Sequence, residues 1–100
     1  MKTPLTTAQR SLISLIVDTA IDVSLHGTHK AVADYRGDVH TVFVSTCLAD
    51  EWFSTNESQS LVAFLARYAD EDEVAHRERV NNELAALYDH LKSLLPESQS

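Results

Sequence analysis

The chain has little of what staples, kinks or anchors a protein. Its 100 residues include one cysteine, two glycines and two prolines. A lone thiol forms no intrachain disulfide, which excludes a stapled secreted scaffold. So little glycine and proline excludes a linker or a disordered chain. No run approaches the roughly 20 apolar residues that a membrane-spanning helix needs. Basic residues are scarce as well: eight Lys or Arg stand against fifteen Asp or Glu, a net charge of −7. That balance argues against nucleic-acid binding by phosphate neutralisation. A single small domain over residues 1–100 is expected, with one core and with 1–5 and 96–100 as flexible tails.

What is present is unevenly distributed. Residues 1–49 hold four basic and four acidic side chains and are neutral. Residues 50–100 hold four basic and eleven acidic ones, so the whole −7 lies there. The densest run, Asp70-Glu71-Asp72-Glu73, reads as a helix start whose carboxylates meet the positive end of the helix dipole. The alternative is an acidic surface that competes with nucleic acid for a basic partner. Leu12-Ile13-Ser14-Leu15-Ile16-Val17 is interrupted by Asp18 and Asp22 and is followed by no small-residue cleavage site, unlike a signal peptide. With a single thiol, the expected compartment is the cytoplasm.

Periodicity predicts an α+β fold in the order α-β-β-α-α. Thr6 and Gln9 have the spacing of a capping box, and Gly27 suits a helix exit, so a helix is expected over 7–26. Residues 29–36 and 39–46 are rich in Val, Thr, Tyr and Phe and flank Gly37-Asp38, which fits a two-residue type II′ turn. That hairpin puts Ala31, Ala33, Tyr35, Val42 and Val44 on one face, the better core candidate. Lys30, Val32, Asp34, Arg36, Val39, Thr41 and Phe43 fall on the other. A longer loop would shift the register and reverse this assignment. A helix is expected near 57–69, with the stripe Leu61, Phe64, Leu65 and Tyr68. A long amphipathic helix is expected over 71–95, capped by Asp70 with Glu73. A two-stranded antiparallel hairpin packed on helices leaves both its edges unpaired, a first reason to expect a homodimer.

The chemistry-bearing residues form no recognisable constellation. There is no CxxC, HExxH or HxH, and Glu73-Val74-Ala75-His76 is a single Glu-x-x-His, so no metal or cofactor is expected. Cys47 lacks an elbow or oxyanion-hole glycines, and with the two glycines ten residues apart no phosphate loop exists. His40, Cys47 and His76 are the residues an enzyme or metal protein would use. Arg36-Gly37-Asp38 spells an adhesion tripeptide that turn chemistry explains by itself. Interface candidates are clearer. Val39, Thr41 and Phe43 lie on an uncharged strand, and Trp52-Phe53 reads as an aromatic anchor with an acidic rim or as a lid on the sheet. Val80, Leu84, Leu87, Leu91 and Leu94 are spaced 4, 3, 4, 3 as a heptad seam. His76, Glu83 and His90 line its flank, so an antiparallel pairing of two copies would bring His76 near His90. The competing reading is a solvated flank beside an intrachain core.

Ala33-Asp34-Tyr35-Arg36-Gly37-Asp38-Val39-His40-Thr41-Val42-Phe43-Val44 resembles a stretch of small accessory proteins of enterobacterial phages and prophages. The resemblance covers the middle third and carries over no site residue. It implies a non-enzymatic protein that acts by binding another protein. The functional expectation is therefore a homodimeric interaction module with an unidentified protein partner and no direct contact with nucleic acid or membrane. An acidic inhibitor of a nucleic-acid-binding protein is the alternative, and a metal protein or small enzyme the third.

Overall fold

A computed structural model describes residues 5–50 and 58–95. The order is α1 (Thr7–His26), β1 (His29–Arg36), β2 (Thr41–Leu48), β3 (Gln59–Phe64) and α2 (Glu73–Ser93). The three strands form one antiparallel sheet, β1-β2-β3, and the fold class is α+β.

The start of α1 follows from its cap. The Gln9 amide donates to Thr6 Oγ1 and the Thr6 amide to Gln9 Oε1, each at 3.0 Å, so two backbone donors at the helix start are satisfied reciprocally. Gly27 closes the helix at φ 94°, a conformation that a residue with a Cβ adopts only with strain. At the start of α2, Asp72 rather than Asp70 is the cap. Its carboxylate accepts from the Ala75 amide at 2.7 Å.

The hairpin joining β1 to β2 is longer than the sequence suggests. Arg36 pairs with Thr41, so residues 37–40 form a four-residue connection in place of a two-residue turn at Gly37-Asp38. The residue with positive φ is His40, at 48°. A non-glycine residue there costs on the order of 1 kcal/mol, and compensating contacts hold it. The Tyr35 hydroxyl lies 2.9 Å from His40 Nδ1, the rings meet edge to face, and the His40 carbonyl accepts from the Leu65 amide. The register moves by two residues relative to the shorter turn. Because side chains alternate with period two, the residues that remain in the strands keep their expected faces, while Val39 leaves the second face for the turn.

The largest correction concerns residues 57–69, where a helix was expected. Gln59–Phe64 is a strand instead, so the order is α-β-β-β-α. Leu61 and Ala63 turn toward the core, whereas Ser60, Val62 and Phe64 face away. The spacing of Leu61, Phe64 and Leu65 fits a helix equally well in a short apolar stretch. The deciding factor is nonlocal. β2 is uncharged and mostly buried, so its second row of backbone donors and acceptors needs protein partners, and β3 supplies them along six paired residues.

Both helices lie on one face of the sheet. Ile16, Ala20 and Val23 of α1 meet Val42, Val44 and Ala63 of the sheet, and Val80, Leu84, Leu87 and Leu91 of α2 complete the core with Leu65. The heptad leucines of α2 are therefore intrachain core. The expected open hairpin edges are also closed in part. Ser24 Oγ accepts from the Ala31 amide at 3.1 Å and donates to the Ala31 carbonyl at 3.2 Å, on the outer side of β1. At the opposite edge, Glu83 Oε1 accepts from the Phe64 amide at 2.8 Å and Arg79 Nη1 donates to the Phe64 carbonyl at 2.7 Å. A helix side chain stands at each of these positions where an added strand would bond.

Candidate functional site

The helices leave the second face of the sheet uncovered. By the observed register it carries Lys30, Val32, Asp34 and Arg36 from β1, Thr41, Phe43, Ser45 and Cys47 from β2, and Ser60, Val62 and Phe64 from β3. Its apolar residues are accessible: Val32 is 49% exposed, Val62 37% and Phe64 48%, while Phe43 is half-buried. The Arg36 guanidinium lies over the Phe43 ring, 5.6 Å from its centroid. Large apolar residues at these exposures cost solvation free energy in the free molecule, at roughly 25 cal/mol per Å² of apolar surface left in water. This face also borders a groove along β1, where Val17, Ile21 and Leu25 of α1 are exposed beside Val32.

The residues expected at an interface divide accordingly. Val39 is exposed in the turn, Thr41 is buried and Phe43 is half-buried on the open face. Trp52 and Phe53 lie outside the described residues. Val80, Leu84, Leu87 and Leu91 are buried within the chain, and Leu94 packs against the core. The flank of the seam is engaged internally as well. His76 Nε2 lies 2.8 Å from the Leu65 carbonyl, His90 Nε2 lies 2.9 Å from the Thr46 hydroxyl, and Glu83 holds Phe64 and Arg79. An antiparallel meeting of His76 with His90 across two copies requires breaking these bonds.

Arg79 gathers a dense set of polar contacts. Its guanidinium donates to Glu71 Oε2 at 2.7 Å, to Glu83 Oε2 at 2.8 Å and to the Phe64 and Ala66 carbonyls at 2.7 Å each. It also stacks on Tyr68, 4.1 Å from the ring centroid. The bond from Arg79 holds the Glu71 carboxyl below its ordinary range. This cluster ties the segment between β3 and α2 to the helix. It also takes two of the eleven acids of the second half out of any free acidic surface.

One pocket collects chemistry-bearing side chains that sequence spacing does not bring together. It measures about 220 Å³ and is lined by His29, Thr46, Cys47, Leu48, Gln59, His90 and Leu94. Burial, and then the nearby His29, push the His90 imidazole below the ordinary histidine value of 6.5. His29 Nδ1 is buried without a hydrogen-bond partner among the described residues. Local spacing gives no signal for this meeting, because β1 and α2 converge here only through the sheet. His40 and His76, the other histidines weighed for chemistry, are held by Tyr35 and Leu65 and do not join it. Among the described residues no three His, Cys, Asp or Glu side chains are placed to hold a metal ion.

The sign of the His90 effect gives a test. Between the lowered native value and 6.5 the unfolded chain binds more protons than the folded one. Stability is therefore expected to fall as pH drops below 6.5, and to stop responding to His90 once both states are protonated. Urea midpoints from pH 7.5 to pH 5 should show this decline, and His90→Gln should flatten its upper part. An unchanged slope in the variant would remove His90 as the cause.

Comparison with protein-family models, with curated proteins and with solved structures returns no match. No helix among the described residues is long and apolar enough to cross a membrane.

Proposed function

We propose that this chain is a non-enzymatic protein-interaction module that works as a homodimer, in the manner of the phage and prophage accessory proteins its middle third resembles. The observation that carries the reading is the sheet face that neither helix covers, with Val32, Val62 and Phe64 exposed and Phe43 half-buried on three adjacent strands. A two-layer domain normally buries one face of its sheet and leaves a polar one in water. Here the outer face has the interface pattern of an apolar centre, formed by Phe43 and Val62, and a charged margin, formed by Lys30, Asp34 and Arg36. Contiguous apolar surface on a small protein marks an interaction site.

Sedimentation equilibrium at ten to a few hundred micromolar is the test, a range set to detect weak dimers. A mass twice that of the 11.1 kDa chain is expected. A monomer mass throughout would end the homodimer reading.

A further inference from the structure

We infer that a second copy of this chain seats on the open sheet face across a two-fold axis, with Asp34 of each protomer opposite Arg36 of its partner. This rests on the homodimer reading above and adds the surface, the symmetry and the pairing.

The register carries the inference. Two neighbouring rows cross the open face. One consists of Asp34, Phe43 and Val62, and the next of Arg36, Thr41 and Phe64. Sheets that pack face to face lie about 10 Å apart with strands roughly aligned. A two-fold axis lying between two such sheets, across the strands and midway between these rows, exchanges one row for the other. Asp34 then opposes the partner's Arg36, Phe43 opposes the partner's Thr41, and Val62 opposes the partner's Phe64. Every contact occurs twice, as an isologous interface requires. Thr41 is buried between Arg36 and Phe64, so the partner's Phe43 packs on the exposed Arg36 and Phe64 side chains that flank it. The opposite charges meet and the apolar side chains meet, with no like charges opposed near the axis.

Charge explains why this face suits a second copy. The chain carries −7, so self-association on an acidic surface would be opposed by repulsion. The open face holds Lys30 and Arg36 against Asp34 and no further charged residue on its three strands. Lys30 lies toward the far end of β1, so the two copies of it are held apart by the antiparallel arrangement.

Charge reversal tests the pairing. Asp34→Arg and Arg36→Asp each place like charges together at two symmetric positions, and each is expected to weaken the dimer about tenfold or more. The double variant Asp34→Arg/Arg36→Asp restores opposite charges and should bring the dissociation constant back to within about threefold of wild type. Val62→Lys, which leaves both charges in place, should also dissociate the dimer. Unchanged circular dichroism shows that each exposed substitution leaves the fold intact. A dimer indifferent to the single reversals or to Val62→Lys overturns this interface while the homodimer reading stands. So does a dimer that Ile21→Lys alone disrupts, which would move the contact to the groove along α1. Failure of the double variant to recover overturns the Asp34–Arg36 opposition. A monomeric wild type overturns both readings.

Discussion

Arg79→Ala is expected to lower stability by about 2–4 kcal/mol, read as a shift in the urea midpoint. The size follows from what the guanidinium leaves behind. Two carboxylates, Glu71 and Glu83, lose their cation, and the Phe64 and Ala66 carbonyls lose a donor. The Arg79 side chain is 17% exposed, so water replaces these bonds only in part. Arg79→Lys keeps the charge but cannot reproduce a planar group that donates on several sides, so it is expected to recover less than half of the loss. A loss below about 0.5 kcal/mol, the range of a surface ion pair, would show the cluster to be marginal. The substitution also uncovers the Phe64 carbonyl at the edge of β3. Increased self-association of the folded variant is therefore a second expected sign.

Leu84→Ala is expected to cost about 3–4 kcal/mol. Leu84 is fully buried between α1 and the sheet, and truncation leaves a cavity in a core with few other large side chains. The comparison that matters is with concentration. A heptad leucine in a dimer seam would lose stability through weakened association, so its effect would vanish at low protein concentration and grow as concentration rises through the dissociation constant. An intrachain core leucine destabilises equally at all concentrations. Leu25→Ala serves as the control, because Leu25 is 79% exposed and its loss should fall within about 0.5 kcal/mol. A concentration-dependent Leu84→Ala effect would place the α2 seam at an interface after all.

Much of the architecture was legible because its signals are local. The Thr6–Gln9 box and Gly27 mark both ends of α1, since capping depends on side chains within one turn of the cap. The face assignment of β1 and β2 survived a wrong turn length because alternation is insensitive to a shift of two. α2 was recognisable from its apolar spacing, although spacing alone does not say whether the other side of a seam is the same chain or another.

Residue order and composition by themselves determined the fold class, the boundaries of the first helix, the existence though not the start of the last helix, and which side of each hairpin strand is apolar. All of these arise from neighbours within a few positions. Only the tertiary structure decided that Gln59–Phe64 is a strand, that the α2 leucines belong to the chain's own core, and that His29 and His90 line one pocket. Each outcome depends on groups far apart in sequence. An unpaired row of backbone groups on β2 selects a strand where spacing allowed a helix. The leucine seam turns inward because α1 and the sheet are already covalently attached and therefore at high effective concentration. The same packing exposes one sheet face, because two helices cover only one side of three strands.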